Sequence, residues 1–180
     1  MPGSDLANKK VLMIIAQEGF RDEEFFEPRD VFEDAGLSIT IASNTTDEAK
    51  GVLGGTAKPD VSINDVVIAE YDAIVISGGP GARKFLWPDK KLQKLVVDAF
   101  DLEKVVAAIC VSPVVLARAG ILEGKKATVF KDAAAIKELL EGGADYENEE
   151  VIVTGNIVTG RDPTCAEEFG EAVLEALENI

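Results

Sequence analysis

One thiol carries the strongest chemical signal in the sequence. Ala107-Ala108-Ile109-Cys110-Val111-Ser112-Pro113 runs an apolar strand directly into Cys110, and a helix begins almost at once. That is the geometry of a nucleophile elbow, in letters that differ from the Gly-x-Ser-x-Gly form. Such a turn exposes the side chain above a sheet. The amides that follow, beginning with Val111, point toward whatever the sulfur attacks. Helix-start amides also stabilise a thiolate, the reactive form of cysteine, so the sequence predicts a Cys110 pKa below that of a free thiol. A lone cysteine at a strand end is more often a buried small hydrophobe. Two further stretches shift the reading toward chemistry.

The first is Gly78-Gly79, closing an apolar run. Without side chains, Gly78 and Gly79 let a substrate oxygen approach the backbone, and Gly79 could supply a second oxyanion donor beside Val111. Taken alone the pair reads equally as a turn. The second is Glu18-Gly19-Phe20-Arg21-Asp22-Glu23-Glu24, an acidic cluster at the end of the first strand. Most of these charges read as helix N-terminal acids that complement the dipole. A protonated Glu among them, its pKa raised, could donate a hydrogen bond to sulfur.

The chain has no histidine, which excludes Ser-His and Cys-His pairs and His-based metal sites. Its two cysteines, Cys110 and Cys165, lack CxxC spacing. They form no disulfide framework, which suits a reducing, cytoplasmic setting. Cys165, near the start of the last helix, reads as a packing residue. Neither a metal nor a cofactor is expected.

The elements that must position these groups alternate. Strand-length apolar runs are read at Lys10–Ala16, Leu37–Ser43, Asp72–Ser77, Lys104–Ile109 and Ala127–Phe130, with a hairpin over Glu150–Thr159. Helical spacing marks Glu24–Ala35, Asp89–Leu102, Ser112–Ala119, Asp132–Glu141 and Pro163–Glu178, with Pro28 placed in the first turn or so of its helix. Gly51–Val61 reads as a β-excursion. The alternation predicts an α/β three-layer sandwich with a mostly parallel central sheet, in one domain over 1–180. Ligands of such sheets collect beyond the carboxyl ends of the strands, where the three stretches fall.

Composition bounds the partners. Against 33 Asp plus Glu stand 18 Lys plus Arg, for a formal charge of -15. That field disfavours phosphate backbones and anionic membrane surfaces, so no nucleic acid and no membrane is expected. The opening Met1–Lys10 lacks the apolar run of a leader.

Taken together, Gly19–Glu24 with Pro28, Ser77-Gly78-Gly79-Pro80, Ala108–Pro113 and Gly160-Arg161-Asp162-Pro163 resemble the DJ-1/PfpI superfamily, over nearly the whole chain. The resemblance implies a flavodoxin-like, class I glutamine amidotransferase-like fold. It makes Cys110 the nucleophile and Glu24 its hydrogen-bonding partner and proton carrier. Val111 and Gly79 would supply oxyanion amides, with Gly78 beside them, and Arg161 would bind an anionic substrate group. It also implies a homodimer or higher homo-oligomer. The sequence departs from protease-like members at Val111, where they carry His, so a Cys-His-acid peptidase mechanism is excluded. Three roles follow as alternatives. One is a cysteine-dependent enzyme on small carbonyl or acyl substrates, glyoxalase-, deglycase- or hydrolase-like. Another is a redox-sensing or stress-protective protein oxidised at Cys110. The last is a non-catalytic module, including an intracellular-protease-like relative without peptidase activity.

Overall fold

The computed structural model describes residues 6–180. Residues 1–5 of the opening segment, read above as carrying no leader, lie outside the described residues. The three runs with the longest uninterrupted apolar stretches form the middle of the main sheet: β1 (Lys10–Ile14), β7 (Ala73–Ile76) and β8 (Val105–Ile109). Apart from Lys10 they are fully buried, as strands covered on both faces must be. Flanking them lie β3 (Ser38–Ser43), the short β6 (Val61–Ser62), and the pair β11 (Val151–Thr154) and β12 (Ile157–Gly160). The strand order is β11-β12-β8-β7-β1-β3-β6. Every neighbouring pair is parallel except the β11–β12 hairpin at one edge. This is the expected α/β three-layer sandwich with a mostly parallel sheet.

Six α-helices flank these strands among the described residues: α1 (Asp22–Asp34), α2 (Pro80–Phe85), α3 (Lys90–Asp101), α4 (Pro113–Arg118), α5 (Ala133–Glu141) and α6 (Ala166–Glu178). α1 and α6 pack against each other, with α6 also on β8 and β12, while α3 and α4 pack on β8 and α5 on α4. A Cβ at Gly170 would lie 3.0 Å from Pro28 Cα, so glycine there permits the close approach of α6 to α1.

Five elements differ from expectation. The last helix begins at Ala166 rather than Pro163, because Pro163–Cys165 forms a separate 3-10 turn before it. α1 begins at Asp22 rather than Glu24, because the acidic residues form its first turn. That places Pro28 well inside the helix instead of near its start. α2 stands where a loop was expected; Pro80 opens it, at the helical position where a missing N–H costs least. Ala127–Phe130 is not a full strand. Only Lys126–Ala127 (β9) pairs, with Asp145–Tyr146 (β10), because Thr128 N donates to Thr159 Oγ1 at 3.0 Å and Phe130 N to Cys110 O at 2.7 Å. The Gly51–Val61 excursion resolves into a small sheet of β2 (Glu18–Phe20), β4 (Ala49–Gly51) and β5 (Thr56–Ala57), before the chain rejoins the main sheet at β6. Among the described residues no helix is long and apolar enough to cross a membrane.

Candidate active site

Strand β8 ends at Ile109, and Cys110 follows with φ 64°, in the left-handed region that non-glycine residues avoid. Three contacts hold the turn. Cys110 N donates to Gly160 O at 2.9 Å, Cys110 O accepts from Phe130 N at 2.7 Å, and Ser112 N donates to Ile109 O at 3.1 Å. The next carbonyl, Val111 O, accepts from the Trp87 indole Nε1 at 2.9 Å. The Trp87 ring is itself flanked by the guanidinium groups of Arg83 and Arg118, 4.9 and 5.4 Å from its centroid. A strained turn fixed from four directions is the mark of an over-determined site.

Glu24, in the first turn of α1, is fully buried. Its Oε1 accepts from Gly78 N at 3.0 Å. The helix that carries it is tied to the sheet by a chain of consequences. Pro28 has no N–H to donate to the carbonyl four residues earlier, which is that of Glu24. The freed Glu24 O accepts instead from Ser77 Oγ at 3.1 Å, and Ser77 O in turn accepts from Ser112 Oγ at 2.6 Å. Thus an imidic residue in the middle of α1 joins α1, the end of β7 and the elbow in one hydrogen-bonded line.

Gly78 and Gly79 sit between these groups. A Cβ at Gly78 would come within 2.7 Å of Cys110 Cβ, Glu24 Oε1 and Ile109 O. Gly79, at φ 107°, would collide with the backbone at Arg21 and Gly19 if it carried a side chain. The double glycine is therefore required by contact. It keeps the Gly79 amide close enough, with that of Val111, to pull the Cys110 thiol pKa down.

The electrostatics of the pair correct one expectation. Burial pushes the Cys110 thiol up, and the charge and hydrogen bond of Glu24 add to it; the amides of Gly79 and Val111 pull the other way without reversing the outcome. Glu24 is raised from 4.5 to about 8, first by burial, against the opposing hydrogen bonds from Cys110 and Gly78. The thiol is thus not depressed below a free thiol, as the helix-start amides alone suggested, because desolvation and the neighbouring acid outweigh them. Two acids this close titrate together. The pair holds both protons at neutral pH and gives up the first near pH 8.

A cavity of about 190 Å³ opens over the sulfur. Cys110, Val111 and Gly79 form its floor, Arg21 and Arg83 its charged wall, and Pro80, Phe130 and Pro163 its apolar wall. Of the residues singled out in the sequence, Cys110, Glu24, Gly78, Gly79 and Val111 come together here. Arg161 does not line the cavity. It engages Asp162 at 2.9 Å, Asn148 at 3.3 Å and Glu150 at 3.9 Å. Two other acids of the cluster are structural: Asp22 accepts from Leu53 N at 2.9 Å and Gly55 N at 2.8 Å, while Glu23 pairs with Arg21 at 2.8 Å. Arg21 and Arg83 were not assigned from sequence. The only signal was a cation inside an acidic run and another just beyond Gly-Gly-Pro-Gly.

Comparison with known proteins agrees with this architecture. The model of the DJ-1/PfpI family matches residues 9–176. An uncharacterized protein of Methanocaldococcus jannaschii is 50% identical over 174 residues, covering 97% of this chain and 85% of its own. Protein/nucleic acid deglycase 2 of Escherichia coli is 33% identical, covering 94% of this chain and 98% of its own. The crystal structure of a ThiJ/PfpI domain protein from Brachyspira murdochii superposes with a TM-score of 0.89 at 36% identity, over 95% of this chain and 97% of that one. The chain belongs to the DJ-1/PfpI family.

Proposed function

We propose that the protein is a cysteine-dependent enzyme acting on small carbonyl substrates, 2-oxoaldehydes first among them, with Cys110 as nucleophile and Glu24 as proton carrier. The observation that carries this reading is the pairing of a positive-φ Cys110, its sulfur met by the amides of Gly79 and Val111, with a buried Glu24 that stays protonated up to about pH 8. A relative at 33% identity bears the name deglycase, which fits carbonyl chemistry.

The thiol is pushed up further than the acid, so the pair loses its first proton from Glu24; on attack the carboxylate takes the thiol proton, and the reacting form carries charge on sulfur and the proton on Glu24. The thiolate adds to the aldehyde carbon, forming a C–S bond. The carbonyl electron pair moves onto oxygen, which the Gly79 and Val111 amides stabilise and which takes the Glu24 proton. Glu24, now a carboxylate, removes the proton from that carbon and delivers it to the neighbouring carbon, while the hydroxyl proton passes from the former aldehyde oxygen to the ketone oxygen. The hemithioacetal becomes a 2-hydroxy thioester, an internal redox change that needs no outside oxidant. Water cleaves the C–S bond, releasing the 2-hydroxy acid and returning the thiol. For methylglyoxal the sum is one methylglyoxal plus one water to one lactate and one proton.

The redox-sensing reading has less support, since a sensor thiol is ionised and accessible, whereas Cys110 is 6% exposed with its pKa raised. The test is lactate formation from methylglyoxal by the parent and Cys110→Ser proteins. Turnover in the parent that falls at least about a thousandfold in the variant is expected. Equal turnover would remove Cys110 from the chemistry.

A further inference from the structure

The cavity over Cys110 contains two charges that the chemistry above does not use. Arg21 and Arg83 share its wall, and among the described residues no Asp or Glu lines it. In a chain of formal charge -15 this is a locally basic pocket. Both guanidinium groups are already anchored, Arg21 through Nε to Glu23 at 2.8 Å and Arg83 through Nη2 to Asp132 at 3.0 Å. Each salt bridge occupies one nitrogen of a group with five N–H donors, so donors remain on both. Their acid partners fix the orientation, and Arg83 is further held over the Trp87 ring. Each side chain is about one-third exposed, so part of its surface is open to solvent.

Resting on the function proposed above, we infer that Arg21 and Arg83 make this cavity selective for 2-oxoaldehydes that carry a carboxylate at the end remote from the aldehyde. Sulfur and amides take the aldehyde at the cavity floor. Phe130, Pro80 and Pro163 cover the short carbon chain, and the two arginines meet the carboxylate. For 4,5-dioxopentanoate the reaction balances as one substrate plus one water to one 2-hydroxyglutarate and one proton, by the same bond changes as for methylglyoxal.

The experiment compares 4,5-dioxopentanoate with its methyl ester, which has the same reacting end and no charge. In the parent, kcat/KM is expected to favour the anion by about tenfold or more, less so at high salt. Arg21→Gln and Arg83→Gln should each lower that ratio severalfold, while Lys94→Gln on the outer surface should not. A parent ratio of one or below overturns the inference, even if both compounds turn over. If neither compound turns over, the enzymatic reading fails separately, and binding decides the inference. Calorimetry on the full-length Cys110→Ser protein should then find the anion bound more tightly than the ester, and equal affinity overturns it.

Discussion

The two cysteines form a natural experiment. Both are buried, both have thiols pushed up first by burial, and both feel two backbone amides that pull the other way. What differs is the rest of the surroundings. Cys165 donates to Glu150 O at 3.2 Å and Asp162 O at 3.1 Å, so carbonyls hold its proton in place at the start of α6. It has ordinary backbone geometry at φ -108°. Cys110 stands in a left-handed turn beneath a cavity, with a protonated acid as partner. Burial and amides are therefore common to a packing thiol and a candidate nucleophile. The strained turn, the open face and the acid distinguish them.

The largest test of that contrast sets Cys165→Ser beside Cys110→Ser. Methylglyoxal turnover should survive the first and fall at least about a thousandfold in the second. With iodoacetamide, native protein should be labelled at Cys110, at a rate that climbs with pH through about 8, while Cys165 reacts only on unfolding. Comparable labelling of both thiols in the native state would erase the distinction.

Next in size is Glu24→Gln. Loss of the proton carrier should cost about a hundredfold or more in turnover, and the rise of kcat/KM toward pH 8 should disappear. Stability should move the opposite way. The folded-state pKa of Glu24 lies above its ordinary value of 4.5. Its favourable contribution is thus complete below pH 4.5 and is lost progressively as pH rises to about 8. At pH 7 the parent should be less stable than Glu24→Gln by roughly 3 kcal/mol, converging below pH 4.5. Denaturant melts at pH 4 and 7 measure it. A variant that is less stable at pH 7 would mean that Glu24 is ionised in the fold.

The smallest expected effect is that of Trp87→Phe. It removes the indole donor to Val111 O and leaves a ring between Arg83 and Arg118. About 1 kcal/mol of stability and a severalfold drop in kcat are expected, with labelling of Cys165 unaltered. Unchanged kinetics would show that the elbow needs no such tether.

Much of this was legible in the letters, for identifiable reasons. β1, β7 and β8 announce themselves because strands buried on both faces are apolar throughout. The elbow was visible because strand, cysteine and proline-opened helix follow without a gap. Three things were hidden. The Ala127–Phe130 run has β-forming residues, but its amides are spent on Thr159 and Cys110, which no local pattern reveals. α2 was masked by Gly-Pro-Gly, which reads as a turn until the preceding Gly79 is seen to serve as its cap. The sulfur's titration needed depth as well as neighbours, since amides alone suggested an ionised thiol and enclosure with Glu24 reversed the sign.

The backbone angle at position 110 has an evolutionary corollary. Left-handed geometry suits glycine or asparagine better than cysteine. A library randomised at that one codon and selected for heat resistance alone should drift toward those two residues. The same library selected for turnover should return cysteine, so the gap between the two outcomes gauges how much robustness the molecule forgoes to keep its sulfur aloft.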